Sequence, residues 1–350
     1  MRPSPFHGLY LSATTQRLPR FAAAAAQVAV GTLATRSELL RLGPLARNYG
    51  IYLVLIVLLV GPALWLSEYR SVTNLGQIVQ QSAALAILAI GQTFVIACRM
   101  IDLSVGQLMG LIVVASCSLM DGRPEMTVPA ILLALAIGLA VGAINGFLNN
   151  RLRIHSLILT LGMLSILQGV IFVYTDRSVG AASPAVLRIG NGSVMGVPVA
   201  VPIVLVVAAL AALLLHRTRF GLYVRVVGAN EEGAHRAGIE VARVKLPVFI
   251  LSGISAAIAG IILAGRLGTG YPNAGTGFEL DAIVAVVLGG TPLSGGRGTI
   301  LGTLAAVMVL GVTANLLNLL GMSAFIQMVV KGAIVIAAVL INQPRALARA

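Results

Sequence analysis

The chain has 350 residues, of which 58% are hydrophobic and only 10% are charged, and its mean hydropathy is +0.98. A soluble globular protein carries charge on about a quarter of its residues, so this composition excludes an ordinary soluble fold. The net charge of +13 does not indicate nucleic-acid binding, because the arginines lie between apolar segments, as in the basic cytoplasmic loops of membrane proteins. Cys98 and Cys117 have no partner at metal-ligand spacing, so we expect no metal site.

Residues 1–46 differ in character from the rest of the chain. They are rich in arginine, and their longest apolar stretch is the alanine-rich run FAAAAAQVAVGTLA. That run is too short and too weakly apolar to span a bilayer, which takes about 20 strongly apolar residues. It also lacks the apolar core of a cleaved signal peptide. We expect a disordered cytoplasmic extension, or a start assigned too far upstream.

The remaining sequence predicts an all-α, polytopic membrane protein of about ten transmembrane helices. The predicted transmembrane domain covers residues 47–342, and residues 343–350 form a predicted cytoplasmic tail. The eighth segment is short and ends in LGGTPLSGGRG, which predicts a broken or re-entrant helix and leaves nine crossings if it does not span. Irregular backbone at membrane depth is tolerated only where protein or a water-filled cavity surrounds it. The segments lie near residues 48–66, 76–97, 103–120, 128–148, 156–174, 198–215, 246–264, 281–293, 298–317 and 323–341.

The distribution of basic residues predicts the orientation. With ten crossings and the N-terminus inside, 18 basic residues fall on the inner side and five on the outer side, which leaves Lys331 within a segment. Cytoplasmic loops of membrane proteins carry an excess of Lys and Arg. We therefore expect both termini in the cytoplasm.

The longest strongly polar interval between two apolar segments is residues 216–247, HRTRFGLYVRVVGANEEGAHRAGIEVARVKLP. Its small and acidic residues, followed by Gly238, predict one or two short helices with a turn, because glycine tolerates the positive φ that follows a helix. Such a helix can lie on the membrane surface and dock in a groove of a partner protein. Its polar contacts would be Glu231, Glu232, His235 and Arg236. The alternative is a solvated connecting loop.

Four stretches of the sequence resemble the permeases of ABC importers. Within the polar interval, Glu232-Gly-Ala234, then Gly238, then Val244-Lys-Leu-Pro247 resemble the EAA loop of those permeases. Three further blocks are similar to the branch that imports ribose, xylose and related monosaccharides: GQTFVIACRMIDLSVGQLMGL (91–111), NGFLNNRLRIHSLILTLG (145–162) and LGGTPLSGGRGTILGT (288–303). The resemblance covers roughly residues 48–342. It departs from the family at residues 98–100, where the family has small and glycine residues, and at residues 155–156, where a proline is common.

The resemblance implies the membrane-spanning permease of an ATP-driven importer in a bacterial inner membrane. ATP and magnesium would bind to partner ATP-binding-cassette subunits. A second permease chain, identical or different, would complete the pathway, and a periplasmic sugar-binding protein would deliver the solute near residues 175–197 and 266–280. The ATPase-coupling residues implied are Gly228, Asn230, Glu231, Glu232, Ala234, Arg236 and Gly238.

This chain has no ATP site of its own in its sequence. It contains no G-x-x-x-x-G-K-[ST], since its only lysines are Lys245 and Lys331 and neither follows a glycine. A P-loop binds nucleotide phosphates through that pattern. No HExxH or GxSxG pattern occurs either, so an intramembrane enzyme has no candidate catalytic group.

Polar residues within or beside the apolar segments are candidates for the translocation path. Asp102 stands where a helix begins, so capping of free N–H groups is the favoured interpretation, and Arg99 is a candidate partner. Asn315 and Asn318, three residues apart, would join neighbouring helices or contact a polar solute. Lys331 lies inside the last segment without an evident partner. These path candidates are Asp102, Asn315, Asn318 and Lys331.

Glu279 and Asp281 lie where the eighth segment begins. Both are candidates for contact with basic residues of the external binding protein, and the alternative is that they cap the helix. Capping is the favoured interpretation for Asp281, and the two interpretations are balanced for Glu279.

A different class of function is a secondary transporter driven by an ion gradient without an ATPase subunit. That class predicts an inverted internal repeat and carboxylates in the middle of the membrane. The glycine-rich blocks at 91–110 and 288–302 are only faintly alike, and the carboxylates lie at segment ends. The sequence therefore favours the ATP-driven importer.

Overall fold

The apolar segments fold into α-helices because a helix satisfies its own backbone N–H and C=O groups, which lipid cannot do. The computed structural model describes residues 44–342, and each of the ten predicted segments corresponds to one of its helices. Residues 1–43 and the predicted tail 343–350 lie outside the described residues, so the predicted extension and tail stay predictions.

The helices, numbered in chain order, are α1 (Pro44–Trp65), α2 (Val72–Ala97), α3 (Val105–Met120), α4 (Thr127–Leu152), α5 (Ser156–Tyr174), α6 (Pro184–Asn191), α7 (Ala200–Arg217), α8 (Arg219–Ala229), α9 (Glu231–Arg236), α10 (Val241–Leu267), α11 (Phe278–Leu288), α12 (Ile300–Leu319) and α13 (Ala324–Asn342). A short 3-10 turn, Pro124–Met126, precedes α4. Before α7, strands β1 (Ser193–Val194) and β2 (Val197–Pro198) pair antiparallel, with Ser193 opposite Pro198.

Six helices of the described chain are long and apolar enough to cross a membrane: α2, α4 with its 3-10 turn, α5, α7, α10 and α12. Gly50–Trp65 of α1, α3 and Phe325–Ile334 of α13 are apolar but shorter, and α11 has 11 residues. The multi-pass, all-helical architecture is therefore confirmed. The number of crossings, ten, stays a prediction.

Close backbone packing around α10 builds the core. α10 packs against α2, α3, α4 and α6, and small residues fill much of its buried middle, from Ser252 to Gly260. Three glycines spaced four apart on α4, Gly138, Gly142 and Gly146, face the backbone of α10. A Cβ on Gly142 would meet the carbonyl oxygen of Phe249. Helices in lipid associate through such small-residue contacts, which accounts for part of the high glycine content of the sequence.

The passage between α2 and α3 is not a continuous helix. The chain turns after α2 at Arg99, whose φ of 61° lies in the left-handed region. Residues 100–104 then run back beside α2, where the Gln92 side-chain amide donates to the carbonyl oxygen of Asp102. α3 begins only at Val105. Arg99 thus occupies, with a bulky side chain, a backbone conformation that suits glycine, at the position where the sequence departs from the family.

A second broken passage precedes α11. Residues 268–277 run along α3: Gly270 lies against Val114 and Cys117, whereas Gly275 lies against Gly106. α11 begins directly after this stretch, at Phe278, and ends at Leu288. Residues 289–299 are again non-helical. The predicted short eighth helix is confirmed. The irregular backbone lies on both sides of it, whereas the glycine-rich pattern indicated only the side that follows.

We expect Gly142→Leu to lower the apparent melting temperature of the detergent-purified protein. The added side chain would push α4 away from the Phe249 carbonyl, and overpacking of this kind costs about 1–3 kcal/mol. Gly162→Leu on α5 is the matched control, because nothing lies within 4 Å of its Cβ position. Equal melting of the Gly142→Leu variant and the wild type would contradict this account of the α4–α10 contact.

Candidate functional site

The polar interval folds as two short helices at one end of the bundle. α7 extends to Arg217, and α10 begins at Val241 and includes Pro247. The interval outside the long helices is therefore residues 218–240, shorter than the predicted 216–247. We call the end of the bundle that carries α8 and α9 the basic end, because Arg217, Arg219, Arg225, Arg236 and Arg243 lie there.

Local hydrogen bonds define α8 and its entry from α7. Thr218 caps α8, since its hydroxyl accepts from the backbone N–H of Gly221 at 3.2 Å. Gly221 has no room for a side chain, because a Cβ would meet the carbonyl oxygens of Leu214 and Leu215. Val224 and Val227 are buried against the bundle. α8 is thus held firmly to the bundle.

The second short helix, α9, has a defined start and end. The side chain of Asn230 accepts from the N–H of Gly233 at 2.9 Å, which is an N-cap. Beyond the helix, Gly238 has a φ of 81°, its N–H donates to His235, and the N–H of Ile239 donates to Ala234, both at 3.0 Å. This is the glycine-terminated helix end that the sequence predicted.

One side of α9 is attached to the bundle and the other faces outward. Ala234 is buried, and Glu231 forms an ion pair of 2.7 Å with Lys245 of α10, whose side chain is only 15% exposed. On the outer side, Glu232 and Arg236 pair at 2.7 Å with side chains 73% and 77% exposed. An exposed pair of this kind contributes little to stability. The outer side of α9 is therefore available to a partner.

The end of α8 brings together residues from three separate sequence blocks. A Cβ on Gly228 would meet the carbonyl oxygen of Ala97 at the end of α2. That same carbonyl accepts from the N–H of Gly296 at 2.9 Å. A Cβ on Gly295 would lie 2.8 Å from the carbonyl oxygen of Gly228. The end of α8 thus contacts the end of α2, where the first broken passage begins, and the non-helical residues 289–299 that follow α11.

Sequence reasoning assigned Gly228 to the coupling loop but missed Gly295, Gly296 and Ala97. The glycine pair in LGGTPLSGGRG was the available signal. Gly295 and Gly296 have φ of 75° and 80°, values that only glycine adopts without strain. Nothing in the sequence alone, however, shows which backbone such a turn approaches.

Asp102 is buried in the stretch between α2 and α3. One carboxylate oxygen accepts from the backbone N–H and the hydroxyl of Ser104, at 3.0 and 2.6 Å. The other accepts from the hydroxyl of Ser252 on α10 at 2.9 Å. Arg99 is exposed and forms no ion pair within the described residues. These contacts favour the structural interpretation of Asp102, which fixes the residue from which α3 starts.

The two asparagines of α12 have different partners. Asn315 and Asn74 of α2 exchange amide hydrogen bonds at 2.8 and 3.1 Å. Asn318 accepts from the side chain of Gln327 at 2.7 Å. Both bonds join neighbouring helices, so the helix-joining interpretation fits better than solute contact.

In the structure, Glu279 and Asp281 have different partners. Glu279 accepts from the N–H of Gly277 at 3.3 Å, which is a cap of α11. Its second carboxylate oxygen is buried beside Gly106.

The capping interpretation of Asp281 is wrong, because its carboxylate bonds instead to Lys331 of α13 at 2.7 Å. The pair lies between α11 and α13, with side chains 24% and 36% exposed. It supplies the partner of Lys331 that the sequence could not name. Lys331 and Asp281 are 50 residues apart in the chain, which is why pattern reasoning could not join them.

The two regions predicted as the outer mouth meet at the opposite end of the bundle. Val179 and Gly270 exchange backbone hydrogen bonds at 2.9 and 3.0 Å, and the N–H of Ala182 donates to Gly268 at 2.9 Å. Residues around 175–182 and 268–270 therefore form one surface. Within the described residues, no three side chains of His, Cys, Asp or Glu are grouped so as to hold a metal ion.

Comparison with known proteins identifies the family. The profile of a family described as the permease component of a branched-chain amino acid transport system matches residues 74–339. The ribose import permease RbsC of Escherichia coli (strain K12) is 41% identical over 298 residues, which cover 84% of this chain and 92% of RbsC. RbsC of Bacillus subtilis (strain 168) is 37% identical over 321 residues, or 89% and 98% of the two chains.

A third relative is the L-arabinose transport system permease AraH of Escherichia coli (strain K12), 36% identical over 307 residues that cover 85% of this chain and 90% of AraH. No solved structure matches the chain. The resemblance to sugar-importer permeases that the four sequence blocks carry is confirmed. Because the profile and the relatives extend across the bundle and α9, the chain belongs to this family of transport-system permease components.

Proposed function

We propose that this chain is the membrane-spanning permease of an ATP-driven importer for a monosaccharide or a similar small polar solute. The names of its relatives, which include permeases for ribose and L-arabinose, support the solute class. The observation that carries the proposal is α9, a capped surface helix fixed to the bundle on one side and exposed on the other.

The basic end is proposed to face the cytoplasm of a bacterial cell, with both termini on that side of the inner membrane. The concentration of arginines around α8 and α9 supports this orientation, because basic residues are retained in cytoplasmic loops. The opposite end then faces the binding protein, and its surface around residues 175–182 and 268–270 receives the solute. A second permease chain completes the pathway.

In this mechanism, ATP and magnesium bind to two ATPase subunits, each of which holds one α9 in a groove. When the ATPases close, α9 moves with them. The movement reaches α8 through the short Asn230 connection, and reaches the end of α2 and residues 289–299 through the contacts of Gly228 with Ala97 and Gly296. Breaks in helices are where a packed bundle can change its arrangement with least disruption.

The test of the function is ATP-dependent uptake by the assembled importer. The chain is purified from its native membrane in mild detergent, its companions are identified by mass spectrometry, and the complex is reconstituted in vesicles with radiolabelled D-ribose, L-arabinose or D-allose. We expect a stoichiometric subunit that bears a P-loop, and uptake only with ATP. Transport by the chain alone, driven by an ion gradient, would favour a secondary transporter instead.

We expect Glu232→Lys to abolish uptake while the protein remains in the membrane, because Glu232 lies on the exposed side of α9. The exchange variant Glu232→Arg with Arg236→Glu separates docking from helix stability. It keeps the pair within α9 but reverses the charges presented to a partner, so uptake should stay low. Normal uptake by the exchange variant would show that the pair only stabilises α9.

Gly238→Pro should also abolish uptake with normal membrane insertion. Proline fixes φ near −65°, whereas Gly238 has a φ of 81° and donates its N–H to His235, so the end of α9 must unravel. Gly238→Asn is the matched control, since asparagine tolerates the left-handed region, and it should retain most uptake. The readouts are vesicle uptake and co-purification of the ATPase subunit. Equal uptake by the proline variant and wild type would argue against α9 as the coupling element.

A further inference from the structure

A half-open cavity with a partly polar wall lies among the helices, nearer to the end opposite α9. Its volume is about 100 Å³, several times the roughly 10–15 Å³ that one water molecule requires. α2, α10, α11, α12 and α13 all contribute to its wall. The charged and polar residues that line it are Gln81, Ser82, Arg266, Asp281 and Lys331, and Phe278 lies beside them. The Ser82 hydroxyl already donates to the carbonyl oxygen of Ile78.

The groups in this cavity are incompletely paired. Asp281 and Lys331 bond to each other. The Arg266 guanidinium has only one hydrogen bond among the described residues, 3.5 Å long, to the backbone oxygen of Gln81, and no carboxylate partner in residues 44–342. The side-chain amide of Gln81 takes part in none of the hydrogen bonds found over the same residues. Charged groups inside a membrane domain are costly and mark solute or ion pathways.

The hydrogen-bond donors and acceptors that line the cavity favour one class of ligand over others. Arg266 and Lys331 donate, Asp281 accepts, and Gln81 does both. A neutral solute with several hydroxyl groups can use all of them, whereas an anion such as a lipid phosphate would meet the Asp281 carboxylate. Ring C–H groups of such a solute would pack on Phe278 and Leu85, since ligand sites combine apolar walls with a few placed polar groups.

We propose that this cavity is a binding site for the transported solute, a neutral polyhydroxylated ring, with Arg266, Asp281, Lys331 and Gln81 as its hydrogen-bond partners. The inference rests on the proposed function and adds to it a residence site within the permease. In the described structure, Asp281 and Lys331 bond to each other. A solute that enters from the end opposite α9 replaces this pair as the hydrogen-bond partner of both side chains.

The first test is uptake of radiolabelled D-ribose, L-arabinose and D-allose by vesicles that contain the complete importer. Arg266→Gln and the double variant Asp281→Asn with Lys331→Gln should each lower uptake about tenfold or more, the effect of losing one hydrogen bond to a charged group. The double variant removes both charges of the Asp281–Lys331 pair together and so leaves neither unpaired, which is why it should fold. ATP hydrolysis without binding protein should stay within about twofold of wild type, because the α9 contacts are unchanged.

The possible outcomes distinguish failure of the proposed binding site from failure of the proposed function. If the double variant imports as well as wild type, the pair is only a contact between α11 and α13, and the proposed site is overturned while the importer function stands. If the wild-type importer carries none of the three sugars, the monosaccharide class of solute in the proposed function fails and this assignment fails with it.

A second test detects occupancy directly. Ala314→Cys places a thiol on the cavity wall, whereas Ser323→Cys places one on the exposed connection before α13; the native Cys98 and Cys117 are buried. An impermeant thiol reagent should label both new cysteines in the complete importer. An imported sugar with its binding protein should slow labelling of Ala314→Cys only. If sugar does not slow labelling of Ala314→Cys, the proposal is wrong, and slowing by phosphatidylglycerol in place of phosphatidylcholine would then identify the cavity as a lipid headgroup site.

Discussion

The structure depends on one constraint: backbone groups inside a membrane domain must find partners even where the chain is not helical. Residues 100–104 meet it with side chains from α5 and α2. Ser156 accepts from the N–H of Ile101 at 3.1 Å, and Thr160 accepts from the N–H of Leu103 at 3.0 Å while its hydroxyl donates to the carbonyl of Ile101. Polar side chains on an apolar helix thus satisfy the backbone groups of this non-helical stretch, which lipid could not do.

Glycine provides the second means of accommodating these breaks. Gly106 and Gly275 bring the start of α3 into backbone contact with the broken passage before α11, and Gly228 and Gly296 bring α8 and residues 289–299 onto the end of α2. Because these contacts join backbones and not flexible side chains, they allow little relative movement between α9 and the interior helices. A movement imposed on α9 therefore has a short and stiff route to α3 and α11.

The hydrogen-bond partners of the charged side chains were the part of the site that the sequence predicted least well. Sequence position placed Asp102 and Asp281 alike at helix starts, and capping was a reasonable expectation for both. Tertiary contacts made them different: Asp102 bonds to Ser252, 150 residues away, and Asp281 bonds to Lys331. Each carboxylate accepts from a donor on a distant helix, and the packing of those helices decides which donor that is.

The sequence by itself determined the ten apolar segments, the short eighth helix, the family blocks and the glycine turn at Gly238, because hydropathy and turn preference are local properties. Only the tertiary structure decided that Asn74 pairs with Asn315, 241 residues away, that Arg266 and Lys331 line one cavity, and that residues 295–296 lie beneath α8. Such contacts depend on how helices cross, which the spacing of residues along one segment does not encode.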